Sequence, residues 1–455
     1  MEIFKTIENE INDYLNNVVD ISEGIKHSQA KLVKRISLFQ NHIYPSGNID
    51  SQNNYLYWFD IITSRVNAEV KNIDFDTKNS FIYSDAVLKD RLAVLISNFY
   101  FRNWLKKKHI AVEINDDVEG FSSLGNIVWK KIKSGYETAD LNNFYVLNQS
   151  AKTLDESDVI ERHISTQADL RAKKGIWQRT DKRIKDCRNR YSSSTEKSIK
   201  IDTTNKFYKI YEKNGEISEK SLFEAQEKQG GDSEKYILAK IITAGLKKSE
   251  NGGKHILFAE EIKEKPYTEA HRGKYKGKWF REGLVEILMD CQNRANEIGN
   301  QLARGLEWAG KTFFRNSEIL AIKSALTDIR SGSIIKAKDL AQVQVRMQGF
   351  DQLLADWNRN IQLANELANS YEVVTGESLP SGTPFRLGAM QNQNANKLFN
   401  FLQEKLTIGL EKVFADRIIP EMIRDLKSKK INLPSSYHYS FSRLNPSVGT
   451  AGHQQ

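Results

Sequence analysis

The stretch Trp279-Phe280-Arg281-Glu282-Gly283-Leu284-Val285-Glu286 reads as a glycine turn feeding a long helix. From Leu284 onward, Leu288, Cys291, Ala295, Ile298, Leu302, Leu306, Ala309 and Phe313 recur at three- and four-residue steps, the spacing of one apolar stripe. The polar side of the same helix carries Asp290, Gln292, Asn293, Asn296, Glu297 and Asn300. A polar turn, Ser331-Gly332-Ser333, then leads into Ile334-Ile335-Lys336. A second amphipathic helix is expected on Phe350, Leu353, Leu354, Trp357, Ile361, Ala364, Leu367 and Tyr371, stopping at the Gly- and Pro-rich run Val374 to Pro384. A third stripe, Leu398, Leu402, Leu406, Leu410, Val413 and Phe414, precedes Pro420, which should kink or restart a helix.

Upstream of Trp279 the pattern is more mixed. Ile3, Phe4, Ile7, Ile11, Leu15, Val18 and Ile25 predict helix over residues 3 to 40. Tyr44 to Asn54 is a loop, and Tyr55 to Lys108 reads as aromatic-rich helix. Ile110 to Ile114 alternates like a strand that Gly120 to Gly125 breaks, Val128 to Ile132 suggests a short helix, and Phe144 to Leu147 a strand. Asp155 to Lys174 reads as helix containing Glu161, Arg162 and His163. Between Ser198 and Glu260 short β-rich runs appear at Ile199–Ile201, Phe207–Tyr211, Tyr236–Ile242 and His255–Ala259. Asn214-Gly215 offers a two-residue hairpin turn and Asn251-Gly252-Gly253 a second. The expected fold class is mainly α with a smaller β-rich insertion, α+β.

With 455 residues the chain can bury a sizeable core and hold several subdomains. Hydrophobic residues at 39% and charged residues at 27% describe a folded chain and exclude a disordered one. A net charge of +9 permits a nucleic-acid partner without requiring one. The two cysteines, Cys187 and Cys291, lie far apart with no metal-ligand spacing, which fits free thiols in a reducing compartment. No apolar run reaches the length of a membrane span, and Met1 to Lys5 does not open a secretory signal.

Motifs that could carry chemistry each meet a plainer reading. Gly305-Leu306-Glu307-Trp308-Ala309-Gly310-Lys311-Thr312 matches the phosphate-binding loop pattern letter for letter. That loop requires a strand before it, and here an amphipathic helix precedes it. The glycines then serve helix packing and Lys311 is a surface cation. The eight histidines form no H-x-x-x-H pair and none pairs with a cysteine at zinc spacing, so no metal, cofactor or catalytic residue is expected. Glu161-Arg162-His163 could be an acid–base group, although a helix-surface charge pair explains it more simply. Two basic segments, Arg171 to Arg190 and Lys263 to Arg281, could hold a nucleic-acid backbone, dock an acidic protein, or be solvated faces.

The order glycine-led helix, polar turn, long helix and Gly/Pro stop resembles the portal proteins of tailed bacteriophages. In that family a helix with the pattern G-x-x-E-x-L-x-D-x-Q-x-x-x-N forms part of the stem of a DNA-conducting ring, and Gly283, Glu286, Asp290, Gln292 and Asn296 stand at its positions. The resemblance implies a non-enzymatic, usually twelve-subunit ring at one capsid vertex, assembled in the host cytoplasm and carried in the virion. It implies double-stranded DNA, the terminase large subunit, the major capsid and scaffold proteins and a head–tail adaptor as partners, and no membrane span. Residues 328 to 338 take the place of the channel loop, with Arg330, Lys336 and Lys338 as its DNA-facing cations. The implied division is a helical and wing region over 1–197, a β-rich clip or wing segment over 198–262, a basic linker and stem helix over 263–316, the channel loop and long helix over 317–383, crown-side helices over 384–439, and a polar tail over 440–455. Two other readings stand beside it: another helical virion or head–tail connector protein, and an enzyme using the Lys311 motif or the basic segments.

Overall fold

A computed structural model describes residues 3–16, 19–22, 25–50, 53–74, 81–83, 91–107, 109–132, 135–173, 207–246, 255–310, 313–315, 341–343, 349–370, 385–428 and 438–440. The chain opens with helix α1 (Ile3–Asn16), strands β1 (Val19–Ser22) and β2 (Ile25–His27), helices α2 (Gln29–Gln40) and α3 (Ile62–Ile73), and strand β3 (Phe81–Tyr83). Helices α4 (Arg91–Lys107) and α5 (Ile110–Leu124) lead into strands β4 (Asn126–Ile132), β5 (Gly135–Thr138), β6 (Phe144–Val146) and β7 (Val159–Thr166). Helix α6 (Gln167–Ala172), strand β8 (Phe207–Ser218), helix α7 (Glu219–Ala225) and strands β9 (Tyr236–Ala244), β10 (His255–Glu261) and β11 (Tyr267–His271) follow. The last part comprises helix α8 (Leu284–Gly310), strands β12 (Phe313–Arg315) and β13 (Ala341–Val343), helices α9 (Phe350–Ala368), α10 (Phe385–Val413) and α11 (Ile419–Ser428), and strand β14 (His438–Ser440).

The fold is mixed α and β with helix the larger share. Two antiparallel sheets organise it: a five-stranded sheet in the order β10-β9-β8-β7-β6, and a three-stranded sheet β11-β4-β5. Helix α1 and helix α7 cover one face of the larger sheet through Ile7, Ile11, Leu222, Ile160 and Ile241. Helices α2, α3, α8 and α9 share a second core with Phe144, Trp279, Phe280 and Leu288. Helices α4, α5, α10 and α11 close a third around Trp129, Phe121, Leu406 and Phe414. No described helix is long and apolar enough to cross a membrane.

The helices with long stripes form where the periodicity predicts them, except that α8 ends at Gly310 and Phe313, read as the last residue of its stripe, lies in β12. Leu402, Leu406, Leu410, Val413 and Phe414 are buried, and Pro420 sits in the first turn of α11, after a π-helical stretch at Phe414–Ile418 that restarts the helix. Several shorter readings are corrected. Ile110 to Ile114 is the start of α5, because Ile110, Ile114, Val118 and Phe121 bury at helical spacing. Val128 to Ile132 is strand, paired with β11 and β5. Residues 159–166 are strand, not helix. The helix expected over 3 to 40 is split by the β1–β2 hairpin, and that over 55 to 108 by β3.

Asn214-Gly215 makes no turn: β8 runs through both, pairing Asn214 with Lys240 and Gly215 with Ala239. Gly215 serves close approach instead, since a Cβ there would lie 2.2 Å from the Asp158 carboxylate carbon. The larger sheet takes β6 and β7 from before residue 197 and β8 to β10 from after it, so the β-rich segment is no self-standing insertion. Ile199–Ile201, the Asn251 turn, Ser331–Lys336 and the Val374–Pro384 stop lie outside the described residues.

Candidate functional site: a lysine-centred charge cluster between two sheets

Strands β4, β7, β8 and β9 bring five ionisable side chains to one place. Alternation along β7 sends Glu161 and His163 to the same face, and alternation along β8 sends Glu212 there while Lys213 faces α1. Lys130 of β4 crosses from the smaller sheet. Its Nζ lies 2.5 Å from Glu161 Oε2 and 2.8 Å from Glu212 Oε2. Lys240 of β9 reaches the other Glu212 oxygen at 2.8 Å. His163 Nε2 sits 3.5 Å from Glu161 Oε2 and 3.7 Å from Glu212 Oε2. Asn214 Nδ2 donates to Glu212 Oε1 at 3.1 Å and to Tyr267 Oη at 2.9 Å, tying β11 to the same group. The cluster lines a cleft of about 950 Å³ between the sheets.

Burial and charge set the protonation states. Lys130, Glu161 and Glu212 are each nearly inaccessible. Burial alone would neutralise Glu212, yet Lys130, His163 and Lys240 outweigh it and hold its carboxyl well below the usual range. Glu161 is lowered in the same way against burial, by hydrogen bonding to His163 and the charge of Lys130. Burial likewise opposes the charge on His163, but hydrogen bonds to Glu161 and Glu212 prevail and lift it to about 9. At neutral pH the cluster is therefore three cations around two carboxylates.

The ligand atoms of Glu161, His163 and Glu212 lie within 4.8 Å of one another, a spacing that could hold a metal ion. The residues present do not fit one, because the Lys130 ammonium already stands between both carboxylates. Neither carboxylate is poised as a general base either: both are strongly stabilised as anions, and a base suited to neutral pH needs a pKa near 7. What the arrangement does is join the two sheets through the buried ion pairs of Lys130 with Glu161 and Glu212.

The residues picked out from the sequence are distributed differently. Arg330, Lys336 and Lys338 lie outside the described residues. Gly283 is buried where the chain crosses the end of α5: a Cβ there would fall 2.3 Å from Ser123 O, and one on Gly125 would fall 2.4 Å from Gly283 N. Asn126 locks this crossing, accepting from Arg281 N at 2.9 Å and donating to Arg281 O at 2.8 Å. Glu286 is partly buried in the first turn of α8 and accepts from Lys278 Nζ at 3.1 Å, while Asp290 is exposed.

Gln292 and Asn296 face inward with Asn300, forming an amide ladder on α8. Ile61 N donates to Gln292 Oε1 at 2.9 Å, Phe59 N to Asn296 Oδ1 at 2.8 Å and Tyr57 N to Asn300 Oδ1 at 2.8 Å. In return Gln292 Nε2 donates to Phe59 O at 2.7 Å and Asn300 Nδ2 to Tyr57 O at 2.9 Å. The match is geometric. Four helix residues rise about 6 Å and two extended residues span about 6.6 Å, so an i, i+4, i+8 row can read alternate peptides of a strand.

The Gly305–Gly310 part of the Lys311 motif lies in the last turns of α8, with helix before it where a phosphate-binding loop needs a strand. Sequence reasoning noticed Glu161 and His163 but placed them on a helix. The β-branched Val159, Ile160, Ile164 and Thr166 around them were the available signal for a strand. Lys130, Glu212 and Lys240 come from three other strands, and nothing local announces their convergence. A scan against protein-family models finds no match to this chain, and a search of curated proteins finds none either.

Proposed function

We propose that this chain is the portal protein of a tailed bacteriophage, a non-enzymatic subunit of the ring through which DNA enters and leaves the capsid. In this reading the ring docks the terminase large subunit during packaging and a head–tail adaptor afterwards, and resides at the capsid vertex of the virion. The observation that carries the reading is the arrangement around α8. Its first half is fixed in the core by Leu284, Leu288, Ala295 and Ile298, while Leu306 near its far end is 58% exposed. Just beyond, β12 and β13 pair antiparallel and set Arg315 beside Ala341. The residues flanking 316–340 are thus paired with each other soon after the end of a 27-residue helix, the placement a channel loop bearing Arg330, Lys336 and Lys338 on a stem helix would need.

Exposed apolar side chains on separate elements add support. Leu95 and Phe99 on α4, Leu363 and Leu367 on α9, and Ile408 on α10 lie on different helices, as head-to-tail packing of identical subunits requires. Electron microscopy of negatively stained protein at low and high salt tests the proposal: rings with a hole wide enough for duplex DNA are expected. A uniform monomer in both salts, and still a monomer with the capsid scaffold present, would overturn it. Replacing Lys336 and Lys338 by Ala is expected to impair packaging and leave ring assembly intact; loss of assembly would refute the channel-loop assignment.

A further inference from the structure

A second cavity, of about 290 Å³, lies beneath α10 where it crosses β11; Tyr267, part of its lining, also reaches the lysine cluster through Asn214. Its ionisable lining is Asp155, Tyr267, Glu269, His271, Arg281, Lys405 and Lys412. Of the two acids Glu269 is engaged, while Asp155 stands at the exposed edge. Both Glu269 oxygens are engaged, Oε1 by Leu154 N at 3.1 Å and Oε2 by Trp279 Nε1 at 2.7 Å, with His271 Nε2 also 3.1 Å from Oε2. Asp155 is exposed, and its backbone carbonyl accepts from Lys265 Nζ at 2.9 Å.

Glu269 favours the charge of Arg281 from within the same cavity, but among the described residues neither Arg281 nor Lys405 hydrogen-bonds to a carboxylate. Among the described residues Arg281 Nη2 donates to the Lys152 carbonyl at 3.2 Å, the guanidinium lies over the Tyr275 ring, and its Nε is buried without an acceptor. Lys405 Nζ donates to the Arg272 carbonyl at 2.7 Å and lies over the Phe401 ring. Lys412, one helical turn and three residues further along α10, is exposed at the rim. Burial, then the neighbouring charges of Arg281, Arg272 and Lys274, press the Lys405 ammonium downward. Burial also lowers Arg281, against the opposing charge of Glu269. Cations held together against their own repulsion, with a buried guanidinium N–H lacking an acceptor, form a receptor for a compact anion.

We infer that this cavity binds a phosphate group through Arg281, Lys405 and Lys412, the guanidinium supplying directed N–H donors and the two lysines charge. The same chemistry is presented by free inorganic phosphate and by the backbone of a nucleic acid. The site goes beyond the ring reading and does not depend on it, since the absence of rings would leave phosphate binding untouched.

The test is calorimetric titration of the full chain with inorganic phosphate at constant ionic strength, and in parallel with a short DNA duplex. Saturable phosphate binding is expected. A charge-assisted hydrogen bond contributes about 1.5–3 kcal/mol, so Arg281→Gln should weaken binding roughly tenfold or more. Lys412→Gln, on an exposed position that the fold tolerates, should weaken it several-fold, and Lys131→Gln, an exposed cation elsewhere, should not change it. A duplex that phosphate displaces, and that the same variants weaken, identifies a nucleic-acid backbone as the source; phosphate binding with no duplex binding identifies the free ion. No saturable binding to the wild type, or binding that Arg281→Gln and Lys412→Gln leave unchanged, would overturn the assignment.

Discussion

Replacing Lys130 by Met keeps the aliphatic stem and removes the ammonium on which two sheets converge. With an effective dielectric constant of about 20, a unit charge pair at about 2.8 Å attracts by roughly 6 kcal/mol, so the two carboxylates together gain about 12 kcal/mol from Lys130 before desolvation is counted. Desolvating three buried charges offsets most of that, and the intact cluster is close to neutral in net effect. Removing one member is a different matter. Glu161 at 5% exposure and Glu212 at 4% would be left facing each other with only His163 and Lys240 to balance them. Breaking a buried pair outright costs about 3–5 kcal/mol, and the remaining His163 and Lys240 contacts make that range an upper bound here.

The loss should depend on pH with a definite sign. In the wild type both carboxyls are depressed, so their contribution is present above the ordinary glutamate range and disappears as pH falls through their lowered folded values. In Lys130→Met they lose the main charge that depresses them, so the variant should be least stable near neutral pH and recover on acidification, when a proton replaces the ammonium. The measurement is the thermal midpoint from pH 5 to 8, with amide exchange of β7 and β8 as the local readout. Lys130→Met combined with Glu161→Gln should regain part of the stability, since Glu212 then keeps Lys240 and His163 as its partners. A single variant that melts within a degree or two of wild type across the whole range would refute the cluster as a clamp.

Other expectations follow from single contacts. His163, raised to about 9 from 6.5, contributes stability that is complete below about pH 6.5 and is lost as pH climbs through 9; the shift corresponds to at most about 3 kcal/mol, and His163→Gln should flatten that alkaline slope. Gly283→Ala would drive a Cβ into the backbone of residues 123 to 125 and should cost at least about 2 kcal/mol, read as a lowered thermal midpoint. Asp117, raised to about 7 by burial against its bonds from Thr138 and Trp129, is protonated in the fold at mildly acid pH. Its penalty grows as pH rises from 4 to 7, and Asp117→Asn should remove that dependence in the same melts.

The parts of this fold legible in the sequence are those where periodicity runs long. The α8 and α10 stripes extend over several turns, and burial at Leu288, Ala295, Leu406 and Leu410 follows the pattern that announced them. Short apolar runs failed because five residues do not separate a period of two from one of 3.6. Ile110 to Ile114 went one way and Val128 to Ile132 the other. Asn214-Gly215 failed for a different reason. The dipeptide permits a turn, but buried Asn214 is held by Glu212 and Tyr267, and Gly215 makes room for Asp158, so tertiary contacts override the local signal. The charge cluster was illegible because its members lie on four strands whose register is a property of the sheet.

The polar side of α8 shows how the same letters support two opposed readings. Gln292, Asn296 and Asn300 could face a water-filled channel, and the family resemblance places such residues on a stem helix. Here all three bind the backbone of Tyr57 to Ile61, so their amides work inside one subunit. Position marks the division: the amides at i, i+4 and i+8 turn inward, where a carboxylate could accept but not donate, while Asp290, Asn293, Arg294, Glu297 and Gln301 face solvent. Asn296→Leu should therefore strip Phe59 N of its acceptor, cost about 1–3 kcal/mol, and speed amide exchange across Tyr57 to Ile61. Asp290→Asn should do neither. If the ring forms, a surface that α8 offers to DNA or to a neighbouring subunit must be built from the exposed row. An Asn296→Leu variant that kept full protection of Phe59 while altering DNA passage would reverse that division.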